Sequence, residues 1–359
     1  YELANSLERI KNAEPDAIVP SHGTVIDDPR AAIDSLLARV TECHDKYVAA
    51  SSLRHYFPWL LEKYTDRPHH MPIRANLDPP ACLRHLETSW ILVSEDKSIF
   101  VMDVALPSVV DGIQKLVEEE GIKSVEGLWV THYHDDHVGG VSRFLETYGC
   151  PCYAEEHVAG IITNPRAWRL PAVDPVPCRV DNVTTHGQSW QWREFRMTSY
   201  YLPGQTLYDA ALLVEKDDLR MLFVGDSFTH AGMDAYCTLN RNWLGEGVGF
   251  SQCLALMEEL KPTHMFNPHV ELAFDFTPEQ IQYMYKNLAE QEELYGQLFP
   301  WDHANYGTDE SWVRCFPYFQ KIVPGKTIEF EVVITNHSSD PNSASCRAVP
   351  PASWKVEST

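Results

Sequence analysis

The sequence predicts an α/β layered domain between about residues 75 and 320, with a helical segment before it and a β-rich tail after it. Three observations predict it. Apolar runs of strand length alternate with helical stretches from Trp90 to Phe266. The stretch Lys63 to Pro80, with Pro68, Pro72, Pro79 and Pro80 and a His69-His70 pair, reads as an irregular connector and sets a boundary near residue 75. Beyond Val323-Pro324-Gly325, the positions Ile328, Phe330, Val332 and Ile334 share one face with period 2, as a strand requires.

The elements follow in order. Leu3 to Lys11 reads as a helix, Asp16 to Val19 as a short strand, Ser21-His22-Gly23 as a turn, and Pro29 to Val48 as a helix. In that second helix Pro29 suits the first turn, and Ile33, Leu36, Leu37 and Val40 recur at helical spacing. Trp90 to Val93 and Ser98 to Val104 are apolar runs joined by the polar Ser94-Glu95-Asp96-Lys97, a hairpin pattern. Val109 to Glu120 is an amphipathic helix closed by Gly121, followed by the strand Val125 to Val130 and a helix from Val138 to Tyr148 that ends at Gly149. Arg196 to Leu202, Ala211 to Val214 and Met221 to Val224 read as strands, Gln252 to Leu260 as a helix, and Thr263 to Phe266 as a strand. The tail from Asn336, rich in Ser, Pro and Asn, reads as loop or as the start of a β-sandwich.

Composition bounds the rest. With 359 residues the chain has room for two or three domains, and 44% hydrophobic residues exclude a wholly disordered protein. The 29 Lys and Arg face 51 Asp and Glu, a formal charge of −22 that repels nucleic acid and anionic membranes. No basic patch, no apolar run of about 18 residues and no charged-then-apolar leader is visible. Neither a nucleic acid nor a membrane is therefore expected as a partner. The chain opens at Tyr1 without Met, which reads as a processed protein or a fragment; cytoplasmic and secreted locations, and the oligomeric state, stay open. Nine scattered cysteines do not form a disulfide framework, and Cys150-Pro151-Cys152 reads as strand-edge packing.

The chemistry concentrates at Thr131-His132-Tyr133-His134-Asp135-Asp136-His137-Val138-Gly139-Gly140, after a buried strand and before a helix. Imidazole nitrogen and carboxylate oxygen are what Zn²⁺ and related divalent ions take, and a turn lets alternate side chains aim at two ions. The segment His132-x-His134-x-Asp136-His137 with Gly139-Gly140 resembles the signature of the metallo-β-lactamase superfamily. Further stations agree in order and spacing up to about residue 270: Pro203-Gly204-Gln205-Thr206, Val224-Gly225-Asp226-Ser227 and Asn267-Pro268-His269. The resemblance implies an αββα four-layer sandwich and a bacterial-type metallo-hydrolase with a binuclear centre. It implies His132, His134 and Gln205 as ligands of one ion, and Asp136, His137 and His269 of the other. Asp226 is implied as the bridge, with Asp136 and Asp226 as the catalytic carboxylates. Zinc is the implied metal, two ions, with iron or manganese as substitutes.

One station departs from the pattern. Gln205 stands where the family places His, so the ion held by His132 and His134 is expected to bind less tightly. His157, His186 and His230 are read as loop or surface residues rather than replacements. The stretch Thr229 to Phe250 is a candidate pocket lining. Ile18-Val19-Pro20-Ser21-His22-Gly23 resembles the closing segment of the same superfamily, so residues 1–74 read as the tail of a preceding domain plus linker, with His22 far from the metals. Residues 321–359 resemble the start of an Ig-like module. The expected reaction is cleavage of an ester, lactone, thioester or amide by metal-activated water. The alternatives are a degenerate metal-binding module of a tandem protein or a mononuclear iron dioxygenase.

Overall fold

The computed structural model describes residues 2–59, 69–235, 237, 242–299 and 301–355. Part of the Pro-rich connector lies outside them. The first sheet has six strands: β1 (Leu83–Leu86), β2 (Ser89–Val93), β3 (Ser98–Met102), β4 (Ser124–Val130), β5 (Cys152–Glu155) and β6 (Asn182–Thr184), in that spatial order. β1, β2 and β3 pair antiparallel, whereas β3 to β6 are parallel. The parallel crossovers run through the helices Pro107–Glu120 and Val141–Tyr148 and the short helix Glu156–Ile162.

The second sheet contains β7 (Ser189–Trp192), β8 (Phe195–Tyr201), β9 (Ala210–Lys216) and β10 (Leu219–Phe223) as an antiparallel meander. A two-residue ladder, β11 (Phe228–Thr229) with β12 (Gly232–Met233), follows. Then β13 (His264–Phe266) joins the far edge of the second sheet, parallel to β10.

Every residue of β2 and β3 is buried, because one face meets the other sheet and the other lies under helices. Between the sheets, Trp90, Phe100 and Trp129 of the first pack with Phe195, Leu212, Phe223 and Phe266 of the second. The helices Gly249–Leu260 and Pro278–Gly296 cover the outer face of the second sheet: Leu254, Met257 and Met284 pack on Leu213, Leu222 and Met265. From one side to the other the layers are helix, sheet, sheet, helix, the αββα arrangement expected.

Several elements differ from the sequence reading for physical reasons. Asp16 to Val19 forms no strand; Ile18 and Ile26 make an isolated bridge around an exposed turn, with no neighbouring strand to extend it. The tail strand shortens to β15 (Glu331–Ile334) and pairs only with β14 (Val313–Phe316). Strands β1 and β5 to β7 and the helix Pro278–Gly296 were not read from sequence. That helix carries its own start signal, a capping box in which Thr277 and Gln280 exchange side-chain to backbone hydrogen bonds around Pro278.

The N-terminal helices are Glu2–Asn12, Pro29–Ala49 and the single turn Leu53–Tyr56. The long one lies on the helix Pro278–Gly296, where Lys46 Nζ donates to Glu290 Oε2 at 2.5 Å and Asn287 Nδ2 donates to the Lys46 carbonyl at 2.9 Å. Among the described residues no helix is long and apolar enough to cross a membrane. Among the described residues no cysteine is disulfide-bonded.

Candidate metal centre

Strands β8, β10 and β13 run in one direction, as do β3 and β4, and the loops after these five strands converge. Chemistry gathers outside such strand ends because the loops there are free to vary while the sheet fixes their roots. β4 delivers Thr131 to His137, β3 delivers Asp103, β8 delivers Gln205, β10 delivers Asp226 and β13 delivers His269. The loop after β4 closes tightly, since Gly140 N–H donates to the Val104 carbonyl at 2.9 Å. A Cβ on Gly140 would fall 2.6 Å from the Leu106 carbonyl oxygen, which explains a glycine at this position.

Two groups of donor atoms result, each within 4.8 Å: Asp136, His137, Asp226 and His269 in one, and His132, His134 and Asp226 in the other. Asp226 belongs to both. Its Oδ1 lies 3.3 Å from His137 Nε2 and 3.3 Å from His269 Nε2, while its Oδ2 lies 3.9 Å from His132 Nε2. Asp136 Oδ2 is 3.4 Å from His269 Nε2, and Asp136 Oδ1 is 3.7 Å from His137 Nε2. The edge of a tetrahedron drawn around zinc with bonds of about 2.1 Å is roughly 3.4 Å, so the first group has the spacing of a zinc site.

Unpaired atoms point to the same place. His137 Nε2 and Asp226 Oδ1 are buried without a hydrogen-bond partner, and so is Gln205 Oε1. Orphaned buried polar atoms are rare because each forfeits its hydration, and three at one locus fit the donor set of a cation site.

Asp103, which the sequence reading passed over, orients this array. Its Oδ2 lies 3.0 Å from His137 Nδ1 and accepts from Thr131 Oγ1 at 2.7 Å, and its Oδ1 accepts from Thr131 N–H at 2.8 Å. With Nδ1–H tied to Asp103, His137 presents Nε2 to Asp226. In the same way His134 Nδ1 faces His132 Nε2 at 2.9 Å, while His134 Nε2 faces the buried Cys237 Sγ at 3.7 Å.

The charge states follow from burial and proximity. Burial disfavours the charge on His137, yet the carboxylates of Asp226 and Asp103 outweigh it and hold the imidazole well above its usual range. His269 is likewise opposed by burial but pushed up to about 9 by Asp136 and Asp226. Asp226 is driven well below the usual carboxylate range, because the positive charge of His137 outweighs burial. Burial lowers His132 and His134 instead, and the neighbouring imidazoles add to the effect at His132.

The expected residues His132, His134, Asp136, His137, Asp226 and His269 all meet here. Gln205 meets them too, but with its nitrogen: Nε2 donates to Asp226 Oδ2 at 3.3 Å and to Asp234 Oδ2 at 3.5 Å. An amide ligates through oxygen, so a half-turn of the carboxamide separates this arrangement from a ligating one. Behind it, Asn242 Nδ2 donates to the carbonyls of Pro203 and Gly204 and braces the turn. Of the candidate lining, Tyr236, Asn240 and Arg241 lie outside the described residues, and Trp243 donates to Asp309.

His157 pairs with Glu155, His186 accepts from Tyr201 N–H, and His230 packs on His55; none of the three joins the centre. His22 is exposed and is absent from both groups.

Residues 85–235 match the family model described as the metallo-beta-lactamase superfamily, and that stretch is a domain of this superfamily. The chain is 34% identical over 77 residues to the hydroxyacylglutathione hydrolase of Marinomonas sp. strain MWYL1, covering 21% of this chain and 28% of that protein. It is 26% identical over 182 residues to the hydroxyacylglutathione hydrolase of Idiomarina loihiensis, covering 50% and 60%. The chain thus spans less than two thirds of the length of either relative. Among solved structures, a Cronobacter sakazakii metallo-β-lactamase aligns with a TM-score of 0.44 and 17% identity over 58% of this chain and 87% of that one. The subclass B3 enzyme BJP-1 of Bradyrhizobium japonicum aligns with a TM-score of 0.43 and 17% identity over 58% and 86%.

Proposed function

We propose that the protein is a metal-dependent hydrolase that cleaves an ester, lactone, thioester or amide bond in a small molecule. One observation carries this reading. The donor atoms of Asp136, His137, Asp226 and His269 converge within 4.8 Å, with His137 Nε2 and Asp226 Oδ1 buried and unpaired. Zinc is the metal the donor set fits, and two ions are proposed. Asp136, His137 and His269 would hold one, His132 and His134 with the Gln205 oxygen the other, and Asp226 would bridge them through its two oxygens.

Bound there, the ions supply Lewis acidity and lower the pKa of water toward neutrality. The chain supplies the rest. Asp103 fixes the His137 tautomer. Asp136 and Asp226, held ionised beside His137 and His269, are the carboxylates able to accept and relay the proton of the attacking water. The two relatives reported above are named for thioester hydrolysis of hydroxyacylglutathione, which makes a thioester the first substrate class to assay.

The test is elemental mass spectrometry of the purified chain with a thioester assay on the same sample. Two zinc equivalents and turnover abolished by Asp136→Ala, with the fold retained, are the expected result. Full turnover without bound metal would overturn the reading. A weakened single-ion form is the second reading, favoured by the Gln205 amide nitrogen that faces Asp226; it predicts one equivalent in the parent.

A further inference from the structure

We propose that Tyr56, which lies outside the family-matched stretch, is a ligand-binding residue of this centre: its hydroxyl donates a hydrogen bond to a charged oxygen of a tetrahedral anion held at the metal site. The nature of that anion rests on the hydrolase reading above.

The segment that carries Tyr56 is built into the site. Residues 50–52 pair with the strand after Asp226: Met233 N–H donates to the Ala50 carbonyl at 2.8 Å, and Ser52 N–H returns a bond to the Met233 carbonyl at 2.7 Å. Ser52 Oγ also donates to the Gly232 carbonyl at 2.7 Å and accepts from Thr229 N–H at 3.1 Å. The buried Arg54 guanidinium reaches two further carbonyls, those of Met71, at 2.6 Å, and Ala231. Such a density of buried hydrogen bonds fixes the turn Leu53–Tyr56 against the loop that follows Asp226.

Tyr56 is then tied to the centre through Asn267. Its hydroxyl accepts from Asn267 Nδ2 at 3.2 Å, and the same Asn267 side chain takes the His269 N–H on its Oδ1 at 2.8 Å. One side chain therefore links the hydroxyl to the backbone of a proposed ligand. Burial keeps the phenol protonated, and the charges of Asp226, Asp234 and Asp136 act in the same direction, so the group serves as a donor. Having accepted from Asn267, it keeps its own proton to give, and among the described residues nothing accepts it. A donor with a free proton, beside a site proposed to hold divalent ions, is suited to an oxyanion.

The experiment uses the zinc-loaded chain and phenylphosphonate, a tetrahedral dianion, with binding measured by titration calorimetry. Removing a hydrogen bond to a charged group should weaken binding by about ten-fold or more in Tyr56→Phe, because such bonds contribute on the order of one power of ten or more. Zinc content and thermal midpoint should stay at the parent values, since the ring is retained. Phosphonate affinity within two-fold of the parent would overturn the proposal. A matching loss of zinc would also overturn it, by assigning Tyr56 a structural role, and so would absence of phosphonate binding by the parent. Turnover of the thioester is scored separately: a parent that binds phosphonate through Tyr56 yet hydrolyses nothing refutes the hydrolase reading and leaves Tyr56 standing.

Discussion

His137 Nδ1 and Asp103 Oδ2 lie 3.0 Å apart, and both side chains are excluded from solvent. Asp103 sits just beyond β3 with a left-handed backbone, φ 61°, a conformation that Asp tolerates better than most residues. The pair decides which imidazole nitrogen is available to an ion. Asp103→Asn replaces one acceptor oxygen by a donor amide and favours the wrong tautomer. Outer partners of this kind typically set metal affinity by about 10- to 100-fold, and that is the expected loss of zinc affinity, read by competition with a chromophoric chelator. Unchanged affinity would mean that His137 is oriented by Asp226 alone.

Gln205 is the residue whose replacement should strengthen the site. Gln205→His puts a nitrogen donor where an amide now points its NH₂ at Asp226. The more weakly held zinc ion is expected to bind about ten-fold more tightly or better, by the stronger donation of imidazole to zinc. Zinc equivalents after dialysis against a weak chelator measure it, and an equal loss of both ions from parent and variant would refute it.

Zinc uptake should release protons. In the ion-free chain His137 is raised well above its usual range and His269 to about 9, so both are protonated at neutral pH. A ligating imidazole must be neutral, so the ion proposed to be held by Asp136, His137 and His269 displaces both protons. Affinity therefore falls as pH falls and rises toward pH 9, with a slope approaching roughly two decades per pH unit where two protons are released. Calorimetry in two buffers of different ionisation enthalpy counts these protons. A count below one would contradict the charge states.

Gly232 is the expected weak point of the N-terminal docking. Its φ is +132°, and a Cβ there would stand 2.0 Å from the Ala50 carbonyl oxygen. Gly232→Ala must both strain the backbone and push the Ala50 backbone away, a cost of about 3 kcal/mol or more. Urea unfolding should report that loss. The variant should also weaken phosphonate binding as Tyr56 shifts, while Gly296→Ala, where the backbone is not left-handed and the added Cβ would meet nothing within 4 Å, disturbs neither the docking nor the binding.

The ligand motif was legible in the sequence because its spacing is local. His132, His134, Asp136 and His137 lie on one loop, and a strand before it with a glycine pair after it fixes their exposure and turn. The strands β2, β3, β4, β9 and β10 were equally legible, since each is an apolar run bounded by polar turns. Asp103 and Tyr56 carried no such mark. Each is an isolated polar residue in an ordinary context, and each acquires its role from a partner far away in the chain. Asp103 meets His137 only because β3 and β4 are parallel neighbours, and Tyr56 meets Asn267 only because Ser52 and Arg54 dock beside Asp226. Residue type and local spacing determine which atoms can bind an ion. Which atoms are aimed at it, in which tautomer and with what charge, is decided by long-range packing, because hydrogen bonds and burial act through space.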